Sequence, residues 1–181
     1  MPFSAPSTIT LRRATTADAL SLAQFGATAF VDTFAADNRP SDMAMYLAEA
    51  FGETVQRGEL ANPAITVFVA ERDGELAGYA MLREGGAPTC VGGHDAVEIA
   101  RLYAARRWIG AGIGAALMER CLAEAGANGR STIWLGVWEH NVRAITFYRR
   151  WGFSDVGSQE FQLGADRQTD RVMARRVAGE L

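Results

Sequence analysis

Three glycines at alternate positions, Gly110, Gly112 and Gly114, stand between a strand-like segment and a helix-like segment. Residues 96–104 (AVEIARLYA) have the apolar character of a strand, and residues 113–127 have the pattern of a helix. A helix that begins directly after a strand presents free backbone N–H groups and the positive end of its dipole, and glycines let an anion approach both. The segment therefore predicts a phosphate-binding turn. A tight turn that only packs the helix against the strand is the alternative.

The spacing of these glycines argues against the two common nucleotide-binding loops. The third glycine comes one position too early for the dinucleotide fingerprint GxGxxG, and no Gly-Lys-Ser or Gly-Lys-Thr sequence is present for a nucleoside triphosphate loop. Both nucleotide-binding hypotheses are thereby weakened, so the context of the turn has to decide its ligand.

The composition is typical of one globular domain over residues 1–181, because 49% apolar residues can fill a core of ordinary size. The net charge of -3 argues against nucleic-acid binding by phosphate neutralisation, and no apolar run approaches the ~20 residues of a membrane span. Two cysteines without a CxxC pair and two histidines support neither a disulfide framework nor a metal site. We expect a cytoplasmic protein with no metal and with no nucleic-acid or membrane partner.

The order of the predicted elements indicates an α/β or α+β domain with one mixed sheet. The clearest element is a hairpin in residues 64–84, whose two β-rich runs meet at Asp73-Gly74, a dipeptide that tolerates the positive dihedrals of a tight turn. Gly52 is the predicted end of the second helix. Further strands are predicted over residues 9–14, 96–104, 131–139, 158–163 and 170–176, and helices over residues 20–34, 40–51, 113–127 and 141–150.

Two segments resemble the signature motifs of the GCN5-related N-acetyltransferase (GNAT) superfamily. Residues 107–112 (RWIGAG) match the motif Arg/Gln-x-x-Gly-x-Gly/Ala between a strand and a helix, and residues 135–153 (LGVWEHNVRAITFYRRWGF) match the strand-and-helix motif that follows. With the hairpin, the resemblance covers residues 9–176, and the late segment LGADRQTDRVM is similar to the Pai-type bacterial polyamine N-acetyltransferases. The resemblance implies the GNAT fold, a mixed, mostly antiparallel sheet of about six to seven strands flanked by about four helices.

The resemblance also implies a site for acetyl-coenzyme A, whose pyrophosphate is held by this loop in the family. The backbone of Leu102, Tyr103 and Ala104 is assigned to the pantetheine arm, which pairs with it like an additional strand. Asn141 is assigned to the same arm, and it is also a good N-cap for the following helix. The pyrophosphate is assigned to the backbone amides around the glycine turn, namely Ile109, Gly110, Gly112, Ile113 and Gly114, with help from Arg107 and Arg106.

Acetyl transfer from a thioester to an amine requires an uncharged nitrogen, a polarised carbonyl and a proton for the departing thiolate. Glu98, on the strand that leads into the glycine turn, is the candidate general base, and an ion-paired strand carboxylate facing Arg101 is the alternative. Tyr148 stands at the tyrosine position of the family and is the candidate acid, because a phenol (~10) and a thiol (~8.5) have comparable pKa values. The alternative is that Phe147 and Tyr148 only form the apolar face of a helix.

The resemblance places the acceptor pocket against the N-terminal helices. The side chains nominated for it are Phe34, Tyr46, Trp138 and Glu139, together with Asp32, Thr33 and Asp42. The Pai-type resemblance makes a small polyamine the predicted acceptor, and such a molecule would need the carboxylates and aromatic walls that these side chains offer. A protein N-terminus, a lysine or an amine-bearing antibiotic is the alternative acceptor.

The predicted function is therefore direct transfer of an acetyl group from acetyl-coenzyme A to a primary amine. No covalent acetyl-enzyme is expected, because neither Cys90 nor Cys121 stands where a nucleophile is required. An acyl-coenzyme A sensor without turnover and an ordinary nucleotide-binding domain are the alternative functions. GNAT proteins are often dimers, and the resemblance makes the final strands a candidate contact for a homodimer.

Overall fold

The computed structural model of the protein describes residues 8–92 and 95–177. Its strands are β1 (Ile9–Arg13), β2 (Ile65–Arg72), β3 (Glu75–Glu84), β4 (Ala96–Ala104), β5 (Thr132–Trp138), β6 (Ser154–Leu163) and β7 (Asp166–Arg176). Its α-helices are α1 (Ala19–Phe34), α2 (Pro40–Ala50), α3 (Glu53–Ala61), α4 (Ile113–Ala127) and α5 (Val142–Arg150). The seven strands of the described residues form one sheet in the order β1-β2-β3-β4-β5-β7-β6.

Every neighbouring pair of strands is antiparallel except β4 and β5, which run parallel. The mixed, mostly antiparallel sheet expected from the sequence is thereby confirmed. The predicted hairpin is also present, since Asp73 and Gly74 have φ angles of 54° and 79°, the positive values that a tight two-residue turn requires.

The number of helices differs from the expectation, because α3 follows Gly52 where no helix was predicted. Its sequence, ETVQRGELA, carries a glycine and few apolar residues, so it lacks the broad apolar stripe by which the other helices were predicted. Polar contacts take the place of that stripe. Gln56 is buried, with its Nε2 donating to the Ala50 carbonyl at 3.0 Å, and Arg57 pairs with Glu53 at 2.6 Å.

The last two strands begin four residues earlier than predicted, at Ser154 and Asp166 in place of 158 and 170. Strand β6 lies at the edge of the sheet, and most of its side chains are exposed. An exposed edge strand does not need alternating apolar residues, so its first part carries little sequence signal.

The two faces of the sheet are covered by different helices. On one face, Leu117 and Met118 of α4 are fully buried in a cluster that contains Phe68 of β2. On the other face, Leu22 of α1 is buried against Val69 of the same strand. This alternation along β2 is what period-two side-chain directions predict for a central strand buried on both faces.

Strand β4 diverges from β5 in the middle of the sheet. The two strands pair only as far as Glu98 and Trp134. On its other side, β4 pairs with β3 throughout, but the register shifts where Leu82 faces Ile99 and Met81 faces Arg101, so that one extra residue bulges. Residues 99–104 therefore keep β3 on one side and have no strand of the described chain on the other.

The described residues contain neither a membrane-spanning helix nor a cluster of metal ligands. No described helix is long and apolar enough to cross a membrane. Within residues 8–92 and 95–177, no three His, Cys, Asp or Glu side chains cluster as metal ligands would. Both cysteines are free thiols, Cys90 exposed and Cys121 buried.

Gly78 of β3 sets the approach of α4 to the sheet. A methyl group there would lie 2.6 Å from Ile113 Cγ2 and 2.6 Å from the Tyr103 carbonyl oxygen. We expect Gly78→Ala to lower the free energy of unfolding by about 1–3 kcal/mol, as overpacking does. Urea denaturation measures this change.

Gly58 in α3 is the matched control, because nothing lies within 4 Å of a methyl group added there. Gly58→Ala should raise the free energy of unfolding by about 0.5–1 kcal/mol, since alanine favours a helix. Equal stability of Gly78→Ala and the wild type would show that α4 does not depend on this close approach.

Candidate active site

The gap between the diverging strands opens into a cavity of about 500 Å³. One wall is the second half of β4, residues 99–104, and the opposite wall is the end of β5 with Gly136, Val137 and Trp138. The N-terminal turn of α4 and one face of α5 line the cavity as well, and so do side chains of α1, α2 and the last two strands. The cavity therefore forms where the parallel pairing of the sheet ends.

The three glycines at the start of α4 differ in backbone conformation, and therefore in the reason for which glycine is needed. Gly110 and Gly112 have φ angles of 83° and 88°, which strongly favour glycine, so the turn itself accounts for them. Gly114 lies inside the helix without a positive φ, and a methyl group there would only come within 3.6 Å of Phe147 and 4.0 Å of Leu102. Turn geometry does not explain Gly114, which leaves the helix backbone open toward the cavity.

The first backbone amides of α4 have no hydrogen-bond partner in the described chain. The first bond of the helix runs from the Ala116 amide to the Gly112 carbonyl at 2.9 Å. The amides of Ile113, Gly114 and Ala115 therefore keep the free donors that a helix start always presents. Gly114 and Ala115 line the cavity, so these donors lie beside it.

Most of the residues predicted to bind the coenzyme line this cavity. They are Leu102, Tyr103, Ala104, Ile109, Gly110, Gly112, Gly114 and Asn141. Ile113 does not, because its side chain is 1% exposed in the core, and only its backbone is available. Asn141 is the expected N-cap, because its Oδ1 accepts from the Ala144 amide at 3.1 Å. The residue also lines the cavity, and its contact with the coenzyme arm stays a prediction.

The two arginines predicted to assist are not among the cavity-lining residues. Arg107 pairs with Glu75, and its guanidinium carbon lies 5.6 Å from the Trp108 ring centre. Arg106 is exposed. Arg143, in the first turn of α5, lines the cavity instead, although it was not predicted from the sequence. Arg143 could have been predicted from the sequence, because it lies only two residues after the candidate Asn141.

Tyr148 lines the cavity from α5 and is 9% exposed. Its ring packs against Phe153 at a centroid distance of 5.9 Å, so it also belongs to the apolar face of the helix. Burial raises the pKa of the Tyr148 phenol well above its ordinary value, and the nearby Cys121 acts in the same direction. The phenol is therefore protonated at neutral pH, and its pKa lies further from that of a thiol than the ordinary values of the two groups suggest.

Glu98 is buried, 8% exposed, but it is not among the cavity-lining residues. Its carboxylate accepts a hydrogen bond from Arg83 Nε at 2.9 Å, and a terminal nitrogen of the same guanidinium lies 2.8 Å away in the ion pair. Arg101, the pairing partner considered from the sequence, binds Glu59 instead, at 2.7 and 3.0 Å. Glu98 is therefore an ion-paired strand carboxylate, which was the alternative to a general base, and its partner is Arg83 in place of Arg101.

Three of the four main acceptor candidates, Phe34, Tyr46 and Trp138, line the cavity. Glu139 is not among the lining residues: its amide donates to the Thr169 carbonyl at 3.1 Å. Of the further candidates, Thr33 lines the cavity, and its hydroxyl donates to the Ala29 carbonyl at 2.8 Å. Asp42 is buried outside the cavity, accepting from the Ala165 amide at 2.8 Å, and Asp32 is exposed.

Asp170 of β7 lines the cavity and was not predicted from the sequence. It is 8% exposed, and no described residue gives it a hydrogen bond or an ion pair. Burial raises the pKa of Asp170 to about 6. The sequence did contain an indication of its burial, because Asp170 lies on the same face of the strand as Val172 and Ala174, which are 0% and 6% exposed.

We expect the free energy of unfolding to fall as the pH rises from about 4 to about 6, because of Asp170. In this range the folded chain holds a proton on a carboxyl of pKa about 6, whereas the unfolded chain, with a pKa near ~3.9, has released it. Asp170→Asn removes this loss. The variant should be more stable than the wild type at neutral pH by up to about 3 kcal/mol and equal to it near pH 4.

Asp155→Asn is the control, because its expected effect on the free energy of unfolding has the opposite sign. Its carboxylate pairs with Arg149 at 2.7 Å, which lowers the pKa of Asp155, so this variant should lose stability at neutral pH and less so in acid. Thermal unfolding at several pH values measures both. A pH-independent difference between Asp170→Asn and the wild type would contradict the buried, unpaired state of Asp170.

Known proteins resemble this chain in sequence and in structure. An uncharacterized N-acetyltransferase of Lactobacillus delbrueckii subsp. lactis is 36% identical over 146 residues, which are 81% of this chain and 84% of that protein. The PaiA N-acetyltransferase from Thermoplasma acidophilum in complex with coenzyme A has a TM-score of 0.77 at 18% identity, over 93% of this chain and 99% of that one. A putative acetyltransferase from Salmonella typhimurium with its cofactor acetyl-CoA has a TM-score of 0.66 at 24% identity, over 97% of each chain.

The two structural likenesses show the fold. The sequence match goes further, because the model of the acetyltransferase (GNAT) family matches residues 27–153 of this chain. That range contains the glycine turn, the diverging strand β4 and the helix with Tyr148. With this match and the 36% identity to a relative over most of both chains, the protein belongs to the acetyltransferase (GNAT) family.

Proposed function

We propose that this chain, as one domain, transfers the acetyl group of acetyl-coenzyme A directly to the primary amine of a small molecule. One observation carries the proposal: the unpaired edge of β4 and the free amides of α4 open into the same cavity, which also contains Tyr148 and an aromatic end. A continuous groove of this kind suits a long carrier at one end and a small acceptor at the other.

The residues present fit coenzyme A in three ways. The amides of Ile113, Gly114 and Ala115 would hold the diphosphate at the positive end of the helix dipole. Arg143, exposed and lining the cavity, adds a positive charge there. The free edge of β4 at residues 102–104 would pair with the amides of the pantetheine arm in the way an added strand does.

When bound, acetyl-coenzyme A supplies an acetyl group activated as a thioester. Backbone N–H groups of the open β4 edge would polarise the thioester carbonyl. Tyr148 would donate a hydrogen bond to the departing sulfur from within a dry site. Because burial raises the pKa of its phenol, the hydroxyl keeps its proton until negative charge develops on the sulfur.

The acceptor end supports a small amine. Phe30 stacks on Tyr46 at a centroid distance of 4.6 Å, and Phe34 meets Trp138 at 6.0 Å, so aromatic walls enclose this part of the cavity. A polyamine is the acceptor predicted from the sequence, and the likeness to PaiA at 18% identity shows the fold and leaves the acceptor open. Of the two features expected for a polyamine, the cavity has the aromatic walls but, among the described residues, only one lining carboxylate, Asp170.

Gly114→Ala tests whether the start of α4 holds the diphosphate. The structure accommodates the methyl group, so thermal stability should be unchanged or higher, whereas the affinity for coenzyme A should fall about tenfold or more because phosphate oxygens lose their close approach. Calorimetry measures the affinity.

Gly126→Ala is the matched control, since it lies in the same helix and its methyl group would meet Val177 at an ordinary 3.7 Å. This variant should bind coenzyme A as the wild type does. If Gly114→Ala bound coenzyme A with wild-type affinity, the glycine would serve helix packing and the proposed diphosphate site would be contradicted.

The amine-dependent release of thiol from acetyl-coenzyme A tests the function itself. A panel of small amines, polyamines, peptides and aminoglycosides should identify an acceptor by the appearance of free thiol. A sensor without turnover would bind coenzyme A and release essentially no thiol with any of them, and that outcome would refute the proposal.

With the best acceptor, Tyr148→Phe should lower kcat about 100-fold, the scale of one positioned acid, while the affinity for coenzyme A is retained. Tyr79→Phe is the control, because Tyr79 is also buried but is not among the cavity-lining residues. Wild-type turnover by Tyr148→Phe across the pH range would eliminate the phenol as a donor to the sulfur.

A further inference from the structure

We propose that Asp170 binds the acceptor ammonium and takes its proton, and that the aromatic walls around it select an acceptor with a single positive charge on an apolar body. This inference rests on the proposed function and specifies its substrate class. It is carried by the position of Asp170, by the lack of a partner for its carboxylate and by the residues that surround it.

Asp170 lies where the gap between β4 and β5 has formed. Across the sheet it faces Trp138 of β5 on one side and Gln159 of β6 on the other. Its carboxylate reaches over Gly136, because a methyl group at that glycine would come within 3.1 Å of Asp170 Oδ2 and 2.6 Å of Gln159 Nε2. The glycine thus makes room for a carboxylate inside the cavity.

Asp170 is only 8% exposed, and its carboxylate faces the cavity with no hydrogen-bond or ion-pair partner among the described residues. A buried charge without a partner is costly, and a bound ammonium group would remove that cost by pairing with it. Burial also raises the pKa of Asp170 to about 6, so the group is mostly ionised at neutral pH and is a stronger base than an exposed aspartate. Both properties suit a residue that first attracts an alkylammonium and then accepts its proton.

No other described side chain that lines the cavity is a carboxylate that could pair with an ammonium group. The titratable and charged side chains that share the cavity are Tyr46 of α2, Arg101 and Tyr103 of β4, and Arg143 and Tyr148 of α5. The charge of Arg101 is taken by Glu59, and Arg143 is exposed. Burial is the cause of the pKa shift of Asp170, so neither arginine neutralises its carboxylate.

The aromatic side chains near this end surround the part of the acceptor that lies beyond its ammonium group. In addition to the Phe30–Tyr46 stack, Tyr46 meets Phe161 at a centroid distance of 5.3 Å. Such walls favour an apolar body and tolerate one cation at their faces. A second ammonium group would be desolvated without a counter-charge, because Asp170 is the only carboxylate that lines the cavity among the described residues.

The proton balance of the step follows from these positions. The ammonium gives one proton to Asp170, which releases it to solvent after turnover. The neutral nitrogen then forms the new C–N bond as the C–S bond breaks. The surplus proton of the nitrogen is lost to water, and the sulfur gains a proton through Tyr148, which is restored from water.

Hexylamine and cadaverine test the substrate class, because they have the same number of non-hydrogen atoms and differ by one terminal ammonium. We expect kcat/KM for hexylamine to exceed that for cadaverine about tenfold or more, since only one charge finds a partner. Equal or better turnover of cadaverine would overturn the single-charge inference.

Asp170→Asn tests the residue. In the wild type, kcat/KM for hexylamine should rise with pH through an apparent pKa near 6, and this acid limb should vanish in Asp170→Asn with a large loss of rate. Glu98→Gln provides the comparison, because Glu98 is also buried on the sheet but lies outside the cavity lining. Its acid limb should remain, and loss of the limb in Glu98→Gln alone would overturn the assignment of the base.

Calorimetric binding of hexylamine to the protein separates this inference from the proposed function. The affinity of the wild type should rise about tenfold from pH 5 to pH 8, and Asp170→Asn should bind weakly at both. Thiol release by the wild type together with full binding by Asp170→Asn would refute the role of Asp170 and keep the acetyltransferase. Asp170-dependent binding without thiol release from any amine would refute the proposed function instead.

Discussion

The divergence of β4 from β5 is the constraint on which the rest of this structure depends. A buried backbone edge requires hydrogen-bond partners, and the sheet supplies them only as far as Glu98 and Trp134. Beyond that point β4 bulges near Ala100, and the edge of residues 99–104 has no strand of the described chain beside it. This is the edge that the proposed function gives to the pantetheine arm. The start of α4 lies beside the same gap, so two sets of free backbone donors meet in one cavity.

A buried carboxylate without a partner lies at this gap, whereas the other buried carboxylates of the described chain are paired. Glu98 binds Arg83, and Asp42 accepts from a backbone amide. Asp170 keeps no such partner. Because a carboxylate that is largely removed from water and has no partner is costly, Asp170 is the counter-charge that the proposed ammonium group would complete.

The sequence predicted most of the fold, and most of the residues that it proposed for the coenzyme line the cavity. Both outcomes rest on local signals: glycines at a helix start, a hairpin dipeptide, an asparagine before a helix. The sequence could not predict which carboxylate faces the cavity. Glu98 lies where β4 still pairs with β5, whereas Asp170 lies on β7 opposite Trp138, past the end of that pairing. Only these long-range strand pairings decide between the two carboxylates. Helix α3 was missed for a similar reason, because a buried Gln56 replaces an apolar stripe.

Amide hydrogen exchange with and without coenzyme A tests the central claim most directly, since it observes the backbone donors themselves. Saturating coenzyme A should slow exchange at residues 113–115 and 102–104, and ATP at the same concentration should leave both segments unchanged. Unchanged exchange at these amides with coenzyme A bound, or equal protection by ATP, would contradict the account.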